Sequence, residues 1–216
     1  ENGARIGVLP RYAEGREIRW FDIEPGMVFH VMNAFEDGDD IVLDACRSAQ
    51  TTMLQEASDP EKDFARPYRW RLNLVTGAVT EGAFSATRCE FPRINESRLG
   101  RNYRYCWASR FADSPLPLFD AFVRFDRDTG REQVYELGPD SYMGEAVFAP
   151  RVDAQAEDDG WVIGFVRDEG RGVSECWIMD ASDYSCGPVA RITIPVRVPY
   201  GFHTGWVAAD QLAHPR

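Results

Sequence analysis

Short runs rich in Val, Ile, Phe, Tyr and Trp alternate with polar turn clusters along the chain, and convincing helical periodicity is missing. This pattern predicts an all-β protein made of short strands. Ile41-Val42-Leu43 follows Glu36-Asp37-Gly38-Asp39-Asp40, and Trp161 to Val166 follows Glu157-Asp158-Asp159-Gly160. Acidic-glycine clusters between apolar runs signal hairpins, because Gly and Asp tolerate the backbone angles that tight turns need. A calcium loop is the sharper alternative for these clusters, but its alternating ligand spacing is absent. Asp113 to Pro117 reads as a loop.

A weak internal repeat runs through the pattern. Tyr68 to Asn73 leads into Thr76-Gly77 and then Ala78-Val79-Thr80. Phe122 to Asp126 leads into Thr129-Gly130 and then Gln133-Val134-Tyr135. Cys176 to Asp180 leads into a turn ending at Gly187 and then Val189 to Ile192. The Asn or Asp before each turn recurs with a period of about 53 residues, and several strands per such period suggest propeller blades. The spacing predicts about four blades, as a small closed propeller or an arc of a larger one.

The 216 residues suffice for one domain or part of a larger one. A net charge of −11 argues against a nucleic-acid partner, because phosphate binding needs concentrated Lys and Arg. Five cysteines without a CxxC spacing make a disulfide framework or a thiolate zinc site a poor fit, and point to reduced thiols in the cytoplasm. No apolar run approaches the ~18 residues of a membrane span. The chain starts at Glu1 rather than Met and runs almost at once into strand-like sequence, as a fragment would.

Chemistry concentrates at two of the three histidines. His30 lies in Phe29-His30-Val31-Met32-Asn33-Ala34-Phe35-Glu36, and His203 in Pro199-Tyr200-Gly201-Phe202-His203-Thr204-Gly205-Trp206. Neutral imidazole is the commonest protein ligand of transition metals. The bland readings are a core imidazole bonded to a carbonyl for His30 and a turn histidine for His203. Gly201 and Gly205 around His203 imply close backbone approach. His214, beside Pro215, is assigned no role. Glu90 and Glu145 are flanked by apolar residues, as is expected of a carboxylate that orients a ligating histidine. Each could equally be a buried glutamate paired with Arg93 or Arg151.

Five phrases together carry a family resemblance: Phe29 to Glu36, Glu90-Phe91-Pro92-Arg93-Ile94-Asn95, Gly144 to Arg151, Glu157 to Gly160, and Gly201-Phe202-His203. In order and spacing the chain resembles the carotenoid cleavage oxygenases, which include lignostilbene dioxygenases and the retinal isomerohydrolase of the eye. The resemblance implies a seven-bladed β-propeller with Fe(II) on its axis, held by four histidines, three of them oriented by glutamates. It makes residues 1–216 the C-terminal portion of a single such domain, about four blades of seven. By motif position His30 and His203 are expected metal ligands, with Glu90 supporting His30 and Glu145 supporting His203. One departure is local: Thr204-Gly205 follows His203, where many members place the glycine first.

The implied reaction is oxidative cleavage by O2 of a conjugated C=C bond in a carotenoid, apocarotenoid or phenolic stilbene, giving two carbonyl products. Phe29 and Phe91 are candidate contacts for the apolar substrate, with ordinary core packing as the alternative. The competing reading is a non-catalytic, metal-free propeller used as a binding module. A propeller hydrolase using Asp158 and Asp159 is disfavoured, because adjacent strand residues point to opposite sides. An isomerohydrolase variant stays open within the family. The expected location is cytoplasmic, with peripheral membrane contact compatible with an apolar substrate. The 216-residue piece alone is expected to be inactive, to hold iron poorly and to aggregate through exposed blade edges.

Overall fold

A computed structural model describes residues 3–50, 64–114 and 116–213. Pro115, within the expected 113–117 loop, and His214 lie outside the described residues. The remainder of that loop joins two strands as expected. The chain divides into two compact units, Glu1–Arg88 with Leu99–Asn102 and Cys89–Arg98 with Tyr103–Arg216.

In the first unit, β1 (Ala4–Val8) pairs antiparallel with β2 (Arg19–Ile23), and β3 (Met27–Asp37), β4 (Asp40–Ser48), β5 (Arg66–Asn73) and β6 (Val79–Ala83) form a four-stranded meander. Asp37 pairs with Asp40 across a tight hairpin whose Gly38 sits at φ +61°, a backbone state open to glycine at no steric cost. Along the end of β5 burial alternates: Trp70 and Leu72 are buried, while the half-buried Arg69 and Arg71 pair with the buried Asp44 and with Asp37 and Asp40. Phe21, Ala45, Trp70 and Leu72 form the core, with Ile6, Leu43 and Val79 packed against it. Burying each such large side chain contributes about 1.5–3 kcal/mol.

The second unit contains two more meanders. One runs β7 (Cys89–Ile94), β8 (Tyr105–Phe111), β9 (Phe119–Asp126) and β10 (Arg131–Glu136). The other runs β11 (Ser141–Pro150), β12 (Gly160–Asp168), β13 (Val173–Asp180) and β14 (Pro188–Ile194). They join through a single bridge between Met143 and Phe119. Trp107 stacks on Phe148 with centroids 4.6 Å apart, and Phe122 on Trp177 at 6.4 Å. β7 and β11 are buried almost throughout, whereas β10 and β14 are largely exposed. The first strand of each of these meanders therefore has no solvent face, and the last is an edge. Among the described residues, the expected count of about four units appears as three four-stranded meanders and one two-stranded sheet.

The sequence repeat has a local cause. Asn73 Oδ1 accepts the N–H groups of Val75 and Thr76, Asp126 Oδ1 those of Asp128 and Thr129, and Asp180 Oδ1 that of Ser182. Each side chain closes the turn after β5, β9 and β13 by bonding the backbone just beyond it. A glycine at positive φ ends each turn: Gly77, Gly130 and Gly187. The Glu157–Gly160 cluster behaves differently, for it ends the longer 151–159 connection rather than forming a tight hairpin. Its acids have separate partners. Glu157 Oε1 accepts the N–H groups of Arg104 and Tyr105 at 2.7 and 2.8 Å, Asp158 meets Arg124 at 2.6 Å, and Asp159 meets Arg151 at 2.7 Å.

Candidate metal centre

The candidate residues share a structural position. His30 lies on β3, Glu90 on β7 and Glu145 on β11, the first strand of each meander. Each lies at a break in the ladder. On β3 the pairing jumps between Val28 and Val31 and again between Val31 and Asn33, on β7 between Glu90 and Arg93, and on β11 between Met143 and Ala146. An extra residue in a strand bends it and re-aims a side chain out of the regular alternation, and bulges are over-represented beside functional sites.

In the first unit His30 is half-buried, and its neighbour Phe29 is 42% exposed. In the second unit Glu90 is buried, and its Oε2 accepts the N–H of Phe91 at 2.6 Å. Phe91 itself holds φ at +54°. That conformation is rare for a bulky side chain and costs about 1–3 kcal/mol. It turns the Phe91 ring inward, where it is 5% exposed and meets Phe119 at 5.1 Å, Phe202 at 6.4 Å and the His203 ring edge-on at 5.8 Å. Phe91 is thus packed as a core residue and also walls the imidazole.

Glu145 and His203 are brought together across 58 positions of sequence. Glu145 Oε2 stands 3.4 Å from His203 Nδ1, with the carboxylate side chain 5% exposed and the imidazole 64%. That distance is long for a hydrogen bond. The short contact of the same oxygen is to Thr204, whose N–H donates to it at 2.6 Å, while the Thr204 hydroxyl donates to the Glu145 carbonyl at 3.2 Å. Arg93 lies on the other side, with Nε 3.6 Å from Glu145 Oε1 and Nη2 donating to the Thr204 carbonyl at 2.6 Å. Glu145 thus lies beside both His203 and Arg93, whereas Arg151 pairs with Asp159 and Asp180.

The close backbone approach expected around His203 exists, but the glycine that it demands is Gly144. A side chain there would run into the Gly201 carbonyl, whereas one at Gly201 or Gly205 would meet nothing within 4 Å. Gly144 and Phe202 stand in the motif phrases and Thr204 in the local departure, but none of the three is assigned a role from the sequence. A glycine inside the apolar strand Ser141–Pro150 was the available signal, since it marks close backbone approach. Farther along, the Tyr200 hydroxyl donates to Glu169 at 2.8 Å, and burial followed by that carboxylate pushes it up to about 12.

Among the described residues no three His, Cys, Asp or Glu side chains cluster into a metal cage by themselves. The donor chemistry at His203 nonetheless fits a metal such as Fe(II). Its Nδ1 faces a buried carboxylate, which would leave Nε2 to bind a metal, as in the carboxylate–histidine arrangement found behind metal sites.

Repeated four-stranded antiparallel meanders whose first strands carry His30, Glu90 and Glu145 define a β-propeller of partial extent. The chain belongs to the RPE65 family, described as retinal pigment epithelial membrane protein, whose model matches residues 1–208. It is 38% identical to carotenoid 9,10(9',10')-cleavage dioxygenase 1 of Pisum sativum, over 97% of this chain and 42% of that protein. It superposes on cobalt-substituted apocarotenoid oxygenase of Synechocystis with a TM-score of 0.84 at 27% identity, covering 95% of this chain and 44% of that one. Lignostilbene dioxygenase of Pseudomonas brassicacearum gives a TM-score of 0.83 at 27% identity, covering 91% and 45%. The chain spans less than half the length of each of these relatives. Among the described residues no helix is long and apolar enough to cross a membrane.

Proposed function

We propose that residues 1–216 are the C-terminal portion of a single propeller-domain, Fe(II)-dependent dioxygenase that cleaves a conjugated C=C bond of a carotenoid, apocarotenoid or stilbene. The observation that carries this reading is the Glu145–His203 pair, set on the β11 bulge behind a short lock on Thr204. Named relatives support the substrate class, one being a carotenoid cleavage dioxygenase and another a lignostilbene dioxygenase. The cobalt-substituted relative supports a metal-binding site.

In this reading His30 and His203 are iron ligands, Glu90 supports His30, and Glu145 supports His203. The iron would supply the O2 chemistry that adds oxygen across the double bond. The protein's own part is to orient and to exclude water. Glu145 faces Nδ1 and so favours one imidazole tautomer, Arg93 balances the buried carboxylate, and the lock on Thr204 fixes the backbone that carries the exposed ring. Phe29 and Phe91 offer apolar surface to a polyene or stilbene. The protein would act in the cytoplasm, with peripheral membrane contact delivering the apolar substrate.

The test is the iron content of the complete protein, purified anaerobically, beside its His30→Ala and His203→Ala forms. One iron per chain that disappears in both variants is expected. A well-folded protein without iron in any form would replace this reading with the metal-free binding propeller.

A further inference from the structure

We propose that Arg93 is a positioning residue for His203, acting through the Thr204 peptide rather than through the imidazole. The inference rests on the reading of His203 as a metal ligand and deepens it by naming what holds the ligand in place.

His203 lies in the 195–208 stretch, outside any strand or helix, so no ladder fixes its backbone. The Thr204 peptide is instead held at both ends. Its N–H is bound by Glu145 at 2.6 Å and its carbonyl by Arg93 at 2.6 Å, while its hydroxyl adds a 3.2 Å bond to the Glu145 carbonyl. The first two bonds involve charged groups, and such hydrogen bonds are shorter and roughly twice as strong as neutral ones. The imidazole contact, at 3.4 Å, is longer than all three bonds to Thr204. The ring is therefore placed chiefly by its own following peptide.

Arg93 can do this because a guanidinium is a planar fork. Nη2 reaches the Thr204 carbonyl while Nε stays 3.6 Å from Glu145 Oε1. A lysine carries its three donors on one nitrogen at the end of a flexible stem, so it cannot reproduce the two separate positions that Nη2 and Nε occupy. The β7 bulge between Glu90 and Arg93 re-aims this stretch of strand, which links the Glu90 position to the placement of Arg93. A merely neutralising role for Arg93 predicts that lysine would do as well.

The full-length protein should be loaded with Co(II), whose visible ligand-field absorption reports coordination geometry. Arg93→Lys is expected to keep the thermal midpoint of the metal-free protein, to shift the Co(II) band and to weaken Co(II) binding by about 10–100-fold. Thr204→Val removes only the hydroxyl bond and should shift the band in the same direction by less. If Arg93→Lys does not fold, Arg93→Gln, which lacks the guanidinium fork, is read in its place. Parental Co(II) affinity and band in the folded Arg93 variant would overturn the positioning role, provided His203→Ala loses the metal. Retention of Co(II) by His203→Ala would instead overturn the ligand assignment on which the role rests.

Discussion

The carbonyl oxygen of Gly201 rests where a side chain at Gly144 would have to begin. This contact lets the segment bearing His203 lie directly against the β11 bulge. It also makes Gly144→Ala the harshest small change at the site. The backbone cannot yield as a flexible side chain would, so the segment must lift away. The expected result is a loss of about 1–3 kcal/mol in denaturant unfolding, together with loss of metal from the complete protein. Gly201→Ala, which meets nothing within 4 Å, should retain both. Equal behaviour of the two variants would show that the contact does not matter.

Glu145→Gln keeps one acceptor oxygen for the Thr204 N–H but removes the charge facing His203 Nδ1. Glu90→Gln does the same to the carboxylate that accepts the Phe91 N–H. Each is expected to weaken iron affinity by about 10–100-fold without unfolding the protein. Competition with a chelator measures this directly, and an unchanged affinity would assign the glutamate a structural role only.

Asp126 isolates an ion pair from its turn. Its carboxylate accepts two hydrogen bonds from Arg104, at 2.9 and 2.7 Å, and these hold it well below the usual carboxylate range. A depressed folded-state value means that the stabilisation is present above the unfolded value of about 3.9 and is lost as pH falls through the folded one. Asp126→Asn can still close the turn onto Asp128 and Thr129. It should therefore destabilise the fold at pH 7, and progressively less below about pH 4, by an amount that solvent screening of the half-exposed Arg104 keeps small. Denaturant titrations of both forms across that range would reveal a pH-independent difference if the pair contributes nothing.

Tyr200 provides the opposite sign. Its hydroxyl, pushed up to about 12 by burial and by Glu169, stabilises the folded chain fully below the unfolded value near 10. That contribution is lost as pH rises from about 10 through 12. The difference in phenolate absorbance between the parent and Tyr200→Phe should titrate near 12. A difference titrating near 10 would mean that the Tyr200–Glu169 bond does not persist in solution.

Much of this architecture was legible because its causes are local. Asn73, Asp126 and Asp180 each bond backbone groups within three residues, so the hairpin repeat appears as a spacing in the chain. The alternation along β5 is equally local, because one face of that strand meets charged partners and the other meets the core. The first strands were harder to read. β7 and β11 are buried on both faces, and the irregularities beside Glu90 and Glu145 are defined only by the partner strand, so neither periodicity nor composition reports them.

The chain by itself determined the strands, the turns that join them and the side chains able to bind a metal, since these follow from torsional preference, short-range hydrogen bonding and donor chemistry. Tertiary structure decided how those side chains are held. Arg93 and Thr204 are 111 positions apart and Gly144 and Gly201 are 57, yet both pairs are in contact. Contacts of that separation form only when whole sheets have packed. Whether a carboxylate grips an imidazole, its neighbouring peptide or an arginine is settled by tenths of an ångström in that packing.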